Sequence, residues 1–217
     1  MKYLYKNPNQ AMFIVPVDEH KMSLITSELK SKASSGHDEL SSDVLMSTMN
    51  YFLTPLVHII NTSITTEIVP INMKIARVTP VFKVDDRTEL SNYRPISILP
   101  LFSKILEKVM FERTMNFVNK YHILFDNQYG FRQNHSTYMA LLETIDRVSD
   151  ALDKKRTTVG VFIDLSKSID TVDHTILLNK LDYYDIKGLA LEWFKNYLSD
   201  RLQYVKIGGV SPRVTHN

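Results

Sequence analysis

No cysteine occurs among the 217 residues. Disulfides, thiolate catalysis and cysteine-held zinc are therefore excluded, and a reducing compartment is permitted. An excess of one charge is missing too: 26 Lys and Arg against 24 Asp and Glu leave a formal net charge of +2. Bulk charge alone does not announce a nucleic-acid binder. Long apolar runs are absent. The longest, Tyr51 to Ile60, is broken by Pro55 and His58, and it is far shorter than the roughly 20 residues that a spanning helix needs. Lys2 near the N-terminus is followed by no apolar stretch, so no signal peptide is expected. These absences lead to the expectation of a soluble intracellular chain, in cytoplasm or nucleus, with no membrane partner. They do not give the oligomeric state.

What is present is the balance of a globular chain: 44% hydrophobic and 23% charged residues. The length suffices for one substantial core or two small lobes. Charge is uneven along the chain. Residues 72–113 carry eight basic against five acidic side chains, and residues 187–217 carry five against two. Such stretches suit a phosphate-facing surface or ordinary solvated charge.

No internal repeat or low-complexity tract is visible. Residues 1–17 read as irregular or extended, with Pro8 and Pro16 as punctuation. The spacing of Met22, Ile25 and Leu29 predicts a helix over 18–30, capped by Asp18. A second helix is expected over 42–61, with Pro55 starting, kinking or splitting part of it. Residues 75–82 read as a strand, 84–92 as a turn-like tip, and 93–99 as an edge or irregular strand that tolerates Pro95. Together they predict a hairpin with a long tip. Helices are expected over 101–119, 136–152, 171–183 and 188–198, and a loop over 126–134. Residues 157–165 read as a continuous apolar strand ending at Asp164. Residues 202–207 and 210–214 around Gly208-Gly209 carry a second hairpin signature. The fold class expected is mixed α/β, of the α+β type.

Three segments carry candidate chemistry. A carboxylate at the end of a buried strand, such as Asp164, is held rigidly enough to bind a metal at a cleft edge. The alternative is that Asp164 only caps a turn. Asp170, Asp173 and His174 are close enough in sequence for metal ligands, but Asp170 or Thr171 as helix cap and Asp173 in the first turn are the stronger account of them. In the first hairpin, Lys83 and Arg94 flank the tip, where two cations suit a triphosphate or plain surface charge. In Asn127-Gln-Tyr-Gly130-Phe-Arg132, the glycine permits close backbone approach or positive φ, and Arg132 with its aromatic neighbours suits a nucleic-acid strand. An ordinary turn accounts for the same residues.

In order, these segments resemble the reverse transcriptases of non-LTR retrotransposons, of the jockey and CR1 type. The resemblance is carried by ARVTPVFK (76–83), LSNYRPISILPLFSKILEKVM (90–110), LFDNQYGFRQNHST (124–137), VGVFIDLSKSIDTVDH (159–174) and WFKNYLSDRLQYVKI (193–207), with LKSKASSGHDELS (29–41) a looser match. It implies a right-hand polymerase: a helical lead-in over 1–71, fingers over 72–156 and the first part of the palm over 157–217. It makes Asp164 the first metal-binding aspartate, with the Leu165 carbonyl completing a ligand set for one of two magnesium ions. Ser166, Lys167 and Ser168 would lie along the incoming triphosphate, and Ile169 would occupy the steric-gate position. Lys83 and Arg94 would hold the triphosphate, while Gln128, Gly130 and Arg132 would sit near the template. The implied partners are an RNA template, a DNA primer and deoxynucleoside triphosphates.

The sequence departs from the family in several places. The family's other two catalytic aspartates sit in a Tyr-Ala-Asp-Asp hairpin, and these 217 residues contain no such motif. They stop at Asn217, ahead of the family's Gly-Val-Pro-Gln-Gly segment, so the expectation is a fragment with an incomplete palm and no thumb. Such a fragment would be inactive alone and would leave an unpaired sheet edge and apolar surface. Ile169 replaces the usual aromatic gate. Glu39 and Asp85 stand where the family commonly has Gly. The alternatives are a non-enzymatic RNA-binding remnant, or activity only as part of a longer product.

Overall fold

The computed structural model describes residues 10–29, 35–165, 168–206 and 215–216. Its elements, in order, are α1 (Glu19–Ser27), α2 (Ser42–Thr66), β1 (Ile75–Phe82), β2 (Tyr93–Ile98), α3 (Leu101–Lys120), α4 (Thr137–Asp153), α5 (His174–Tyr183), α6 (Leu189–Leu198), β3 (Leu202–Val205) and β4 (Thr215–His216). Short 3-10 turns precede β1 and β2. The fold is mixed α/β, as the sequence suggested. No helix among the described residues is long and apolar enough to cross a membrane.

Local chemistry explains the helix starts. Asp18 accepts from Lys21 N at 2.7 Å, and Ser136 accepts from Met139 N at 3.3 Å. Each satisfies one of the four amides that a helix start leaves without partners. α2 runs unbroken through Pro55, which neither starts nor splits it. Pro55 deprives the Tyr51 carbonyl of a donor, but both residues lie on the exposed face, where water replaces the bond.

The helices bury their apolar stripes against one another. Ile60 and Ile64 of α2, Met22 and Ile25 of α1, and Ile105, Leu106 and Val109 of α3 share one core with Trp193 of α6, which is only 1% exposed. Its indole Nε1 donates to the buried Ser63 hydroxyl at 3.2 Å, so the largest core side chain is also hydrogen-bonded. A second, smaller core joins Met12 to Phe117, Val118, Ile123, Ile186 and Ala190.

Residues 10–17 form a strap across these helices. The Asn61 amide fixes both backbone groups of Val17, at 2.8 Å each. Met12 N donates to Asp185 O at 2.9 Å.

The sheet has the order β2-β1-β3-β4. β1 is antiparallel to β2 and parallel to β3, with Ile75 opposite Leu202. β2 is an edge strand, as its proline suggested. Pro80 pairs with Pro95. Lys83 N donates to Asn92 O at 2.9 Å, and counting back along the alternating ladder makes the proline pair a non-hydrogen-bonded one. Neither missing N–H is needed there. β3 pairs antiparallel with β4, Leu202 opposite His216. The strand expected over 210–214 lies outside the described residues.

One expectation fails clearly. Residues 157–165 form no strand, although their composition is that of a buried one. Phe162 is 95% exposed, and Val159, Val161 and Ile163 are similarly bare. A strand is stabilised by its ladder and by burial, and no described strand lies beside this segment. The helix after it also starts later than expected, at His174. Asp173, not Asp170 or Thr171, is the N-cap of α5 and accepts from Ile176 N at 3.0 Å.

Candidate functional site

The β1–β2 hairpin carries the best-defined candidate surface. Cross-strand partners share a face, and so do residues two apart on one strand. Val81 pairs with Arg94, and Lys83 stands opposite Asn92. Lys83 and Arg94 therefore project from the same face, diagonally placed. Both side chains are exposed, and neither has an ion-pair or hydrogen-bond partner among the described residues.

Alternation places Arg77, which the sequence reading did not single out, on the same face. The period of two counted back from Lys83 is the signal that would have found it. Arg77 donates to the Ser35 hydroxyl at 3.4 Å.

The opposite face braces the tip. Phe82 and Tyr93 meet edge to face at 5.5 Å, Arg87 lies 4.6 Å above the Phe82 ring, and the Tyr93 hydroxyl donates to Arg87 O at 2.9 Å. Asp85 holds φ +72° within the tip, the left-handed geometry that glycine adopts without strain.

The base of the hairpin rests on the loop before α2. A Cβ built on Gly36 would lie 2.6 Å from Pro100 N, so only glycine allows this approach. Glu39 holds φ +57° and pairs with Lys206 at 2.6 Å. Both departures from the family's glycines thus fall at left-handed positions.

The loop after α3 is organised largely by its own polar groups. Gln128 Nε2 donates to Gly130 O at 3.2 Å, and Arg132 reaches the carbonyls of Phe125 and Asp126 at 3.4 Å each. Gly130 has neither a left-handed φ nor any atom near its missing Cβ. The strain sits instead on Phe131, at φ +58°, whose ring is 90% exposed. The reason first given for a glycine at 130 is therefore not the one the structure provides.

Asp164 is exposed and has no hydrogen-bond or ion-pair partner among the described residues. Leu165 and Ile169 are exposed too, and Ser168 lies in a turn. Ser166 and Lys167 lie outside the described residues. Among the described residues no three His, Asp or Glu side chains converge on a metal-sized site. A lone exposed carboxylate does not fit a two-magnesium centre, which needs several oxygen ligands per ion. Asp170, Asp173 and His174 do not supply one, since Asp173 is occupied in capping α5.

Comparison with known proteins gives this geometry its context. The family described as reverse transcriptase (RNA-dependent DNA polymerase) matches residues 82–216. The probable RNA-directed DNA polymerase from transposon BS of Drosophila melanogaster is 29% identical over 89% of the chain. The RNA-directed DNA polymerase from mobile element jockey of the same organism is 25% identical over 96% of it. The chain spans only 22% and 23% of the length of these two relatives. The matched residues include the second strand of the hairpin, Asp164 and the α5–α6 pair. The chain belongs to the reverse transcriptase (RNA-dependent DNA polymerase) family, in its non-LTR retrotransposon branch.

Proposed function

We propose that this chain is the fingers and first palm segment of a retrotransposon reverse transcriptase, and that these 217 residues do not polymerise by themselves. The observation that supports the reading is the pair of cations, Lys83 and Arg94, whose side chains have no partner among the described residues and lie on one face of a braced hairpin. A triphosphate needs positioning and charge neutralisation more than covalent help, and a fork-shaped guanidinium beside a point-charge ammonium provides both. The lead-in 1–71, the fingers 72–156 and the palm segment 157–217 are the divisions this reading uses.

In the family's chemistry, magnesium ions activate the primer hydroxyl and carry the triphosphate. Here Asp164 and the Leu165 carbonyl would be one ligand pair, Ser166 to Ser168 would face the phosphates, and Ile169 would face the ribose. Gln128, Gly130 and Arg132 would position the template. With one of three carboxylates in the sequence, the metal centre is not completed by these residues.

The test is protection of the hairpin by a deoxynucleoside triphosphate. Amide exchange across 83–94 should slow when the triphosphate is added, and the effect should vanish in Lys83→Ala/Arg94→Ala. Unchanged exchange in the parent chain counts against the reading.

A second reading, that the same residues work inside a longer product, is favoured by the bare apolar segment 157–165. A Tyr-Ala-Asp-Asp hairpin supplied in trans should then protect the amides of 159–163. No protection at saturating concentration would remove that reading.

A further inference from the structure

A groove of about 430 Å³ lies between the strap and the C-terminal half of α3, with Phe13, Arg113, Asn116, Lys120 and Tyr121 among its lining residues. α3 rises about 1.5 Å per residue, so Arg113 and Lys120 lie roughly 18 and 28 Å along the helix from its start beside the hairpin. None of the groove's lining residues belongs to the hairpin that carries Lys83 and Arg94.

Its donors are largely unspent. Arg113 gives Nε to Val15 O at 2.8 Å and one terminal nitrogen to Val109 O at 3.3 Å. Its other terminal nitrogen has no partner among the described residues, and no carboxylate binds it. Among the described residues the Asn116 side chain makes no hydrogen bond, and the Lys120 ammonium lies 5.1 Å from the Tyr121 ring with no acidic partner. The one carboxylate in the lining, Glu112, is neutralised by Lys21 at 2.6 Å.

Positions 113, 116 and 120 fall at i, i+3 and i+7, one face of the helix. Beside them Phe13 stands 85% exposed on a strap that is pinned at Met12, Val15 and Val17. A row of cationic and amide donors about 10 Å long, bordered by an aromatic ring on a fixed backbone, is the chemistry that tracks a phosphate backbone and stacks a base.

We propose that this groove binds single-stranded RNA as a second contact surface, separate from the nucleotide-facing hairpin. RNA as the partner rests on the reverse-transcriptase reading; the groove's preference for a polyanionic strand rests on its own residues. Arg113 and Lys120 contact phosphates, Asn116 donates to phosphate or sugar, and Phe13 stacks on a base.

The experiment is fluorescence anisotropy of a labelled 20-nucleotide single-stranded RNA titrated with the full chain over a range of salt. Lys120→Glu and Phe13→Ala change exposed side chains, and unchanged melting temperatures check the fold. Each should weaken binding by about tenfold, and Lys120→Gln should lower the salt slope by about one phosphate contact. Arg113→Gln is the second variant on the phosphate side. Parent-like affinity and salt slope in all four would overturn the proposal, as would no RNA binding by the parent chain. The two readings fail separately. If affinity depends on Lys83, Arg94 and Arg132 but not on the groove, the groove is wrong and the polymerase reading stands. If the groove variants weaken binding while triphosphate never protects the hairpin, the polymerase reading fails instead.

Discussion

Two parts of this chain have similar apolar content and opposite fates. In α2, α3 and α6 apolar residues meet one another around Trp193, and Leu56, Ile60, Ile105, Leu106 and Val109 are nearly inaccessible. In α4 and residues 157–165 they meet nothing comparable. α4 is capped and amphipathic, yet it has no buried residue, and the apolar run ending at Asp164 is bare along its length. An apolar pattern states that a segment needs covering. It does not say by what. Where complementary stripes exist among the described residues, the pattern predicts the core; where they do not, the same pattern leaves an exposed apolar surface.

The largest effect expected from this contrast separates the two parts by mutation. Trp193→Ala should cost about 3–5 kcal/mol, since it empties a packed core site and frees Ser63. Phe162→Ala, although it deletes a comparable ring, should change stability by less than about 0.5 kcal/mol. Urea unfolding of both variants tests this, and equal losses would break the comparison.

Next in size is Gly36→Ala. The added methyl meets backbone at Pro100, which has little room to give, so a loss of about 1–3 kcal/mol is expected in the same assay.

A pH experiment sharpens the account of the buried half. Burial, then the charge of Glu107 and the hydrogen bond to it, push the Tyr197 hydroxyl above the ordinary tyrosine range. A raised folded-state value means that this contribution is complete below the unfolded tyrosine value of about 10 and is lost as pH climbs past it. Melting temperature should therefore fall above that pH, and Tyr197→Phe should flatten the fall.

The smallest effects concern the two left-handed acidic residues. Asp85→Gly and Glu39→Gly should each relieve strain of about 1 kcal/mol at most, against the entropy that glycine adds to the unfolded chain. The exposed Glu39–Lys206 pair subtracts little. Thermal melts should show no loss for Asp85→Gly.

Much of this was legible in the sequence because the signals were local. Asp18 capped α1, the apolar spacing marked α3, and the short, β-branched, apolar run 75–82 marked β1 at its observed bounds. The facing of Lys83 and Arg94 followed from register, which the long tip left open until the pairing was seen. Other features depend on tertiary neighbours. Pro55 is harmless only because its side of α2 faces solvent. Asp170, Thr171 and Asp173 all have capping side chains, and the path of the chain into α5 selected the last. Gly36 is required by Pro100, 64 positions away in sequence. The left-handed backbone expected at Gly130 falls on Phe131 instead.

As proposed, Lys83 and Arg94 face a triphosphate and Asp164 is the first catalytic aspartate of a metal centre that these residues do not complete. Primer extension on an RNA template with magnesium tests this most directly, using the 217-residue chain and its Asp164→Asn variant. Neither protein is expected to extend the primer. Extension by the parent chain that disappears in Asp164→Asn would contradict the proposal, because the remaining carboxylates would then have to come from residues not assigned to the site.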